Sequence, residues 1–307
     1  MLKYTSNLII FVNYFYYLLL YIFVTNIFLG EESFMFLADL HVHSRFSSDS
    51  EESMECIIET CISKGFKYVY FTDHHDMDFP VNPNEPDMDF QLNFVGYFDE
   101  LQRLKDNYNN IIDIRFGIEQ GICPETADRI SALSNSYPFD FIIGSSHLTS
   151  LTNGDPYYPS YYEGKTNIEA YREYFSSEAE NVLLTDGFDV YGHLDYAVRY
   201  CPDKSFVFVF NDYRDIFEVL LKRLIEKGKG IEINTSGISK IGYPHPHIEI
   251  LKLYHSLGGE IITVGSDAHI KENIGVGFDI AYKLLKEIGF KYYTIYKDRK
   301  PEFITLK

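Results

Sequence analysis

The sequence predicts an α/β fold in which seven parallel strands close into a barrel. From residue 36 onward, short apolar runs alternate with helical patterns, and this alternation is typical of strand–helix units around a parallel sheet. Six of the seven runs end in histidine, aspartate or glutamate. Because the functional side chains of a parallel barrel gather at the carboxyl ends of its strands, this distribution indicates a barrel with one polar rim.

The predicted strands are the apolar runs themselves. They cover residues 36–43, 67–74, 111–119, 139–147, 188–193, 230–237 and 260–269. The helical patterns cover residues 54–64, 97–106, 125–133, 168–184, 213–227, 248–257 and 280–287. Several of these helices are followed by glycine, which is preferred just after a helix C-terminus. The segment 291–307 is predicted to form a final hairpin. No internal repeat or long linker interrupts the series, so we expect one domain.

The composition excludes several classes of protein. The chain has 307 residues, an apolar fraction of 46% and a net charge of −18 from 27 Lys+Arg and 45 Asp+Glu. That length and apolar content support a sizeable core and exclude a disordered or fibrous protein. An acidic surface repels phosphate backbones, so we expect no nucleic-acid partner. The four cysteines form no CxxC pair, which favours a reducing compartment, and we expect a cytoplasmic protein.

The beginning of the chain has a different character. Residues 4–30 contain no charged side chain and are long enough to cross a bilayer. One interpretation is a misassigned start, with translation beginning at Met35, because the codons of residues 30–32 form a purine run similar to a bacterial ribosome-binding site. The other is a real membrane anchor, and only in that case do we expect a membrane partner. We therefore divide the chain into a doubtful leader, 1–34, and a functional domain, 35–307.

The polar rim has the composition of a metal site. Residues i and i+2 of a strand point to the same face, so His41 projects together with His43, and Asp267 with His269. The other strands contribute His74, Glu119, His147 and His193 at the same end. Imidazole and carboxylate groups suit zinc, iron or manganese better than calcium, and the absence of cysteine ligands argues against a closed structural zinc site. An isolated HxH pair is more often a pair of ordinary histidines, but six such coincidences in register favour a metal site.

Six short motifs carry these ligand-type residues. They are DLHVHS (39–44), TDH (72–74), GIEQG (117–121), SSH (145–147), GHLD (192–195) and SDAH (266–269). Together they resemble the PHP family of metal-dependent phosphoesterases, which is named after polymerase and histidinol phosphatase. The resemblance covers residues 37–275. Two further stretches, TDHHDMDFP at 72–80 and SYYEGKTNIEAYREYF at 160–175, are similar to the histidinol-phosphatase branch.

The resemblance implies a distorted TIM-like (β/α)7 barrel with a trinuclear site at the carboxyl-terminal rim of its strands. It implies three divalent ions, which would be zinc, manganese or iron. The first ion would take His41, His43, Glu119 and Asp267, the second would share Glu119 with His147 and His193, and the third would take Asp49, His74 and His269. Asp49 lies in the loop SRFSSDS, so an N-capping position before the first helix is an alternative role for it.

Several residues near the ligands have predicted supporting roles. Asp39, Asp73 and Asp195 neighbour ligand histidines in sequence, and we expect them to accept hydrogen bonds that fix imidazole tautomers. The PHPH motif at 244–247 imitates a metal motif, but no carboxylate pattern accompanies it, and we interpret it as structural. His75 directly follows a ligand and is a candidate for contact with the substrate.

The resemblance offers L-histidinol phosphate as the substrate, which would be hydrolysed to L-histidinol and phosphate in histidine biosynthesis. A hydroxide that bridges the two ions on Glu119 would attack phosphorus in line, because metal ions lower the pKa of bound water and clamp the displacement. The candidate catalytic residues are Glu119, Asp267, His269 and Asp195. The sequence does not identify the proton donor to the leaving alkoxide, for which Asp195, His75 and metal-bound water are candidates.

Arg199 is the preferred candidate for holding the phosphate, because a planar guanidinium matches phosphate oxygens. Lys271 and Ser236 are weaker candidates. The loop after the second strand carries five carboxylates that could attract the ammonium group of the substrate, but we interpret the loop as solvated. The five are Asp76, Asp78, Glu85, Asp87 and Asp89.

Two other functions are compatible with the sequence. One is a different PHP phosphoesterase that acts on a nucleotide, an oligonucleotide or a protein phosphotyrosine, although the acidic surface argues against nucleic acid. The other is a membrane-tethered metal-binding protein without turnover, which the apolar segment at 4–30 would support. All nine ligand positions hold a competent ligand, which favours an enzyme. The sequence leaves the oligomeric state open.

Overall fold

The strands form a parallel barrel, and their order around the sheet follows the chain. The computed structural model describes residues 36–82, 88–152 and 154–307. The strands in these ranges are β1 (Ala38–Asp39), β2 (Tyr68–Phe71), β3 (His74–Asp76), β4 (Asp113–Gly121), β5 (Phe141–Ser145), β6 (Val190–Tyr191), β7 (Gly230–Asn234), β8 (Ile262–Gly265), β9 (Tyr292–Lys297) and β10 (Lys300–Thr305). The main sheet has the order β1-β2-β4-β5-β6-β7-β8, and β3 also pairs with β4.

The second strand of the barrel is split in two. β2 pairs with the first half of β4, where Phe71 lies opposite Phe116, and β3 pairs with the second half, where His74 lies opposite Glu119. β2 and β3 therefore occupy one strand position between β1 and β4, and the barrel has seven strand positions. This confirms the predicted (β/α)7 barrel.

Backbone hydrogen bonds close the barrel between its first and last strands. The amide of Asp267 donates to the carbonyl oxygen of His41 at 2.8 Å, and the amide of His43 donates to that of Ala268 at 2.9 Å. Val42 and Ala268 form an isolated parallel bridge at the same seam. Closure therefore brings the first and the last ligand motif of the sequence side by side.

Helices follow the strands and cover the outside of the barrel. They are α1 (Met54–Ser63), α2 (Phe94–Asn107), α3 (Ala127–Leu133), α4 (Asn167–Leu184), α5 (Arg214–Glu226), α6 (Gly237–Ile241), α7 (Ile248–Ser256) and α8 (Phe278–Ile288). The seven predicted helices are present, and α4 begins at a capping box formed by Thr166 and Glu169. The short helix α6 was not predicted. It begins where strand was expected, so β7 ends at Asn234 and not at residue 237.

Alternation along β4 shows where the core and the rim lie. Ile114 and Phe116 are buried and point outward, and the Phe116 ring packs against Tyr97 of α2 with centroids 5.6 Å apart. Arg115 and Glu119 lie on the opposite face, inside the barrel. Glu119 is near the carboxyl end of the strand, so it is delivered directly to the rim.

The C-terminal hairpin, β9 and β10, covers the amino ends of the barrel strands. The carbonyl oxygen of Tyr296 accepts hydrogen bonds from the Tyr70 hydroxyl at 2.6 Å and from Arg115 Nη1 at 3.2 Å. In the hairpin turn, Arg299 donates through Nε to Asp189 Oδ2 at 2.5 Å. The predicted hairpin is therefore confirmed, and it seals the end of the barrel opposite the ligand-type residues.

The predictions for residues 1–34 lie outside the described residues and stay predictions. Within the ranges that the structure describes, no helix combines the length and the apolar character that crossing a membrane requires. The four cysteines of the chain lie within these ranges, and their thiols are free.

Candidate metal centre and active-site cavity

Glu119 lies at the centre of the rim, and its two carboxylate oxygens face different histidines. Oε2 lies 3.2 Å from His41 Nε2 and 3.5 Å from His43 Nε2. Oε1 lies 2.9 Å from His193 Nε2 and 3.3 Å from His147 Nε2. The four imidazoles come from three different strand ends. The carboxylate therefore stands between two separate groups of imidazoles.

Asp267 joins the first of these groups. Its Oδ1 atom lies 3.2 Å from His43 Nε2 and 3.6 Å from His41 Nε2. Asp267 also has a left-handed backbone conformation, with φ at 54°. Residues other than glycine adopt this conformation rarely, and such strain concentrates at functional sites. The barrel seam enforces it here, because the Asp267 amide is bonded to the carbonyl oxygen of His41.

A third group consists of Asp49, His74 and His269. Asp49 Oδ2 lies 3.0 Å from His269 Nε2 and 3.5 Å from His74 Nε2. The alternative role of Asp49 as a helix cap is wrong, because the side chain of Ser53 caps α1. His74 Nδ1 also lies 2.9 Å from Glu119 Oε2, so the third group adjoins the other two.

The electrostatics of the cluster are unusual for buried groups. Burial alone would raise the pKa of Glu119, but the facing imidazoles, that of His41 first, hold it well below its usual range. Burial alone would lower the pKa of His41, but the carboxylates of Glu232 and Glu119 raise it well above its usual range. Burial and neighbouring imidazoles lower the pKa of His43 to about 3. The carboxylates therefore make this part of the rim a place where a cation is stabilised.

Several buried atoms of the cluster form no well-aligned hydrogen bond among the described residues, although most of them lie near opposite charges. They are His41 Nε2, His43 Nε2, His74 Nδ1, His193 Nδ1 and Glu119 Oε2. Buried polar atoms are normally hydrogen-bonded, so such exceptions need a reason. In three sets of three side chains, one ligand-type atom from each side chain lies within 4.8 Å of the other two. Imidazole nitrogens and carboxylate oxygens at this spacing fit divalent metal ions.

Two buried carboxylates orient histidines of the cluster, and neither was predicted to do so. Glu232 Oε1 lies 2.7 Å from His41 Nδ1, and Asp76 Oδ1 lies 2.8 Å from His147 Nδ1. The expectation of a solvated Asp76 is wrong, because this residue is buried in β3. The sequence did contain one indication of Glu232, since a carboxylate inside an otherwise apolar strand requires partners.

Contrary to the prediction, the carboxylates of Asp39 and Asp73 do not contact imidazole rings. Asp39 accepts a hydrogen bond from the Ser266 amide at 2.9 Å. Asp73 Oδ1 accepts a hydrogen bond from the Ser47 hydroxyl at 2.9 Å, and Ser47 Oγ lies 3.1 Å from His43 Nδ1. Both carboxylates therefore organise loops of the rim, and Asp73 acts on a histidine only through Ser47.

Asp195 faces away from the cluster. Its Oδ1 atom lies 2.5 Å from His245 Nδ1, and its Oδ2 atom accepts a hydrogen bond from the His247 amide at 2.9 Å. Its side chain is completely buried. This position contradicts the predicted catalytic role of Asp195, since a proton donor must reach the leaving group. Asp195 instead holds the PHPH segment at 244–247 in place.

A cavity of about 270 Å³ opens above the cluster. The side chains of the cluster that line it are Asp49, His74, His147, His193, Asp267 and His269. Its aromatic lining consists of Phe79, Phe90, Tyr157, Tyr158, Tyr196 and Tyr200. Arg199 is the cationic side chain in the described lining, and Asp76 and Asp155 add carboxylates. The cavity therefore combines cationic, anionic and aromatic groups around the space for a small ligand.

Arg199 is held in place before any ligand arrives. Its Nη1 atom donates to Ser236 Oγ at 3.0 Å and lies 3.9 Å from Asp267 Oδ2. The guanidinium carbon lies 5.1 Å from the ring centroids of both Tyr196 and Tyr200, which is within the range of cation–π contacts. Nε is buried and has no hydrogen-bond partner in the described part of the chain. Because an unpaired buried donor is costly, the guanidinium is suited to an anionic ligand.

His75 and Lys271 do not line the cavity, which contradicts their predicted contacts with the substrate. The His75 ring accepts a hydrogen bond from the Leu92 amide at 3.1 Å and packs against Phe94, because neighbouring residues of β3 point to opposite faces. Lys271 is exposed on a short 3-10 helix.

Comparison with known proteins identifies the family. The model of the PHP domain matches residues 39–236, which is more than half of the chain. The chain belongs to the PHP domain family. A histidinol-phosphatase from Lactococcus lactis subsp. lactis is 35% identical over 257 residues, which cover 82% of this chain and 91% of the relative. A probable histidinol-phosphatase from Clostridium acetobutylicum is 29% identical over 253 residues, covering 82% and 94%.

Solved structures agree with this membership of the PHP family. The crystal structure of histidinol phosphate phosphatase from Lactococcus lactis subsp. lactis, complexed with zinc, L-histidinol and phosphate, matches with a TM-score of 0.78 at 32% identity. The match covers 86% of this chain and 98% of that structure. A putative histidinol phosphatase from Listeria monocytogenes matches with a TM-score of 0.69 at 19% identity, covering 79% and 99%. The second match supports the fold alone.

Proposed function

We propose that this PHP chain is a metal-dependent histidinol-phosphatase, which hydrolyses L-histidinol phosphate to L-histidinol and phosphate. The observation that carries the proposal is the position of Glu119, whose oxygens face two groups of imidazoles beneath an open cavity. A phosphomonoesterase needs clustered cations and room for a small ester at one place. The relatives named as histidinol-phosphatases add support for the substrate.

We propose that the cluster holds three divalent ions. The first would be held by His41, His43, Glu119 and Asp267, the second by Glu119, His147 and His193, and the third by Asp49, His74 and His269. Zinc is the first candidate, ahead of manganese and iron, because the related structure from Lactococcus lactis contains zinc. Such ions supply a nucleophile at neutral pH, by lowering the pKa of water, and neutralise the charge of phosphoryl oxygens.

Arg199 would hold the phosphate against the cluster. Its side chain lines the cavity together with Asp267 and His269, so the guanidinium is placed to donate to a phosphate oxygen. Ser236 and the rings of Tyr196 and Tyr200 fix the guanidinium plane. Such preorganisation reduces the entropy that binding would otherwise cost.

The other end of the cavity suits the cationic part of L-histidinol phosphate. Asp155 and Tyr158 line both the cavity and a neighbouring groove whose described lining includes no residue of the cluster, so they lie at the end remote from the metal. A carboxylate there can bind an ammonium group, and aromatic rings can contact an imidazole or a cation. With Arg199 on one side and Asp155 on the other, the cavity would distinguish the two ends of the substrate.

The decisive experiment compares substrates. We expect kcat/KM for L-histidinol phosphate to exceed that for phenyl phosphate and for a nucleoside 5′-monophosphate by at least roughly 100-fold, because a site built to pair polar groups rejects analogues that lack them. A chelator should abolish the activity, and zinc should restore it. Equal rates on the three esters would overturn the biosynthetic assignment.

The variant Asp155→Asn tests the remote end of the cavity. It keeps the shape of the side chain and removes its charge, so we expect kcat/KM for L-histidinol phosphate to fall roughly tenfold or more. Phenyl phosphate, which has no ammonium group, serves as the internal control and should react at the rate of the parent protein. Equal losses on both esters would mean that Asp155 supports the fold of the cavity and does not read the substrate.

We further propose a cytoplasmic location, which the four free thiols support, since disulfides form readily in oxidising compartments. Mass spectrometry of native protein from fractionated cells tests this together with the nature of the leader. A soluble cytoplasmic fraction without peptides from residues 4–30 would support both the location and a start at Met35. Recovery of those peptides with the membrane fraction would overturn both.

A further inference from the structure

β7 and the turn after it carry polar side chains although no metal ligand was predicted there. Glu232 and Asn234 are buried and alternate with Ile231 and Ile233, so the polar pair lies on one face of the strand and the isoleucines lie on the other. Ser236 continues the same spacing. A carboxylate that is 1% exposed inside a barrel is unfavourable unless donors surround it.

The donors around Glu232 belong to the metal cluster. Oε1 lies 2.7 Å from His41 Nδ1, and Oε2 accepts a hydrogen bond from the His193 amide at 3.2 Å. The bond to Nδ1 places the ring proton of His41 on that atom. Nε2, which faces Glu119 and Asp267, is then the ring atom that would bind a metal ion. One carboxylate therefore orients residues of two proposed metal groups.

The neighbouring strand β8 leaves room for this carboxylate. A Cβ atom on Gly265, the last residue of β8, would lie 2.5 Å from Glu232 Oε1 and 2.3 Å from His41 Cβ. Glycine at this position thus preserves the pocket that holds the Glu232 side chain against His41.

The same network continues to the guanidinium that lines the cavity. Asn234 Nδ2 donates to Glu232 Oε2 at 3.2 Å, and Asn234 Oδ1 accepts from the Ser236 amide at 3.0 Å. These two contacts fix the orientation of the Asn234 side-chain amide, because the Glu232 carboxylate only accepts hydrogen bonds and the Ser236 backbone N–H only donates. Ser236 Oγ lies 2.7 Å from Asn234 Oδ1 and accepts from Arg199 Nη1 at 3.0 Å.

We propose that Glu232 is a positioning residue for the metal centre, and that Asn234 and Ser236 extend its network to Arg199. The network fixes the tautomer of His41, the backbone at His193 and the phosphate-binding guanidinium in one rigid arrangement. The proposal deepens the proposed function and rests on it only in requiring that the cluster binds metal.

The test is the zinc affinity of the metal-free protein, measured by competition with a chromophoric chelator and without any substrate. In Glu232→Gln, either His41 Nδ1 or the His193 amide would face the side-chain NH2 group of glutamine, which cannot accept the hydrogen bond that the carboxylate oxygen accepted. We expect zinc to bind roughly 10- to 100-fold more weakly, which is typical when a hydrogen-bond partner of a ligand histidine is lost. Thermal unfolding of the metal-free variant, followed by circular dichroism, confirms that it is folded.

Glu178→Gln is the matched control. Glu178 is a completely buried carboxyl group of α4, and burial raises its pKa well above the usual range. Burial therefore already opposes ionisation of this side chain, glutamine has nearly the same shape, and no hydrogen bond or ion pair among the described residues joins Glu178 to the metal cluster. We expect the zinc affinity of this variant to equal that of the parent within about twofold.

Ser236→Ala tests the other end of the network. We expect the inhibition constant of inorganic phosphate to rise roughly 3- to 10-fold, which corresponds to one hydrogen bond on Arg199, while zinc affinity falls less than in Glu232→Gln. Parent-like zinc affinity in a folded Glu232→Gln protein would overturn the positioning role. A parent protein that binds zinc but leaves L-histidinol phosphate intact would instead overturn the proposed function, and the zinc comparison would still decide the role of Glu232.

Discussion

The two ends of the barrel treat buried polar groups in opposite ways. At the amino end, buried carboxylates are paired with donors from neighbouring strands and from the C-terminal hairpin. Asp140 accepts a hydrogen bond from the Phe116 amide at 2.9 Å, and Asp189 accepts one from the Ile142 amide at 2.8 Å. Arg299 adds a charged donor to Asp189. The buried carboxylates at this end are therefore satisfied by donors of the protein itself.

At the carboxyl end, polar atoms lie close together without well-formed hydrogen bonds. Nε2 of His41 and of His43 and Oε2 of Glu119 are buried and near opposite charges, but they form no well-aligned hydrogen bond among the described residues. Such an arrangement costs free energy in the protein alone. The amino end therefore stabilises the barrel, whereas the carboxyl end is arranged for bound cations, and a substitution can disrupt one role without the other.

The largest expected effect comes from Glu119→Gln, which breaks the carboxyl end. Glutamine keeps the shape but loses the charge shared by two groups of imidazoles, so we expect activity to fall at least roughly 10³-fold, or about 4 kcal/mol in barrier height. Metal content, measured by mass spectrometry of the desalted protein, should fall from the three ions proposed for the parent. Full activity with full metal content would end the assignment of Glu119 as the shared ligand.

Metal removal has the next largest effect, and it should act on stability only through the carboxyl end. For one site, free zinc at about 100 times Kd stabilises the folded state by about 2.7 kcal/mol. For a chain of this size, this corresponds to a rise in Tm of roughly 5–10 °C relative to chelated protein. Calorimetry of parent and Glu119→Gln with and without zinc gives the comparison. An equal zinc-dependent rise in both proteins would contradict the proposed cluster.

The sequence predicted the barrel and the residues of the cluster because both follow from local patterns. Apolar period and spacing identify strands and helices, and the i, i+2 rule places pairs such as His41 and His43 on one face. The partners that orient these residues were not predictable in this way. Glu232 and His41 are separated by 191 positions, and Asp76 and His147 by 71. Only the closure of the barrel brings such pairs into contact.

The roles predicted for Asp73 and His75 from their proximity to His74 in sequence were wrong. Asp73 and His75 flank His74, but side chains of successive strand residues point in opposite directions. His75 therefore packs against Phe94 on the outer side, whereas His74 faces the cluster. The same two-residue period that identified the ligands argues against assigning functions to their immediate neighbours.

Arg299→Met tests the amino end in isolation. The substitution removes the charged donor to Asp189, a carboxylate that is 5% exposed, and we expect a loss of about 2 kcal/mol of stability. This corresponds to a fall in Tm of roughly 4–8 °C. Lys300→Met, at the exposed neighbouring position in the same hairpin, is the control and should leave Tm nearly unchanged. Because the site lies at the opposite end, kcat should be retained, and a large loss of kcat would show that the two ends are coupled.

Lys271→Ala gives the smallest expected effect and marks the limit of the active carboxyl end. Lys271 lies only two residues after His269, but it is exposed and outside the cavity lining. Solvent and salt screen such a charge within about 8 Å at physiological ionic strength. We therefore expect kcat/KM for L-histidinol phosphate to change by less than about twofold, with no dependence on salt beyond that of the parent. A tenfold loss would mean that the Lys271 ammonium group reaches the substrate. The active site would then extend beyond the residues that line the cavity.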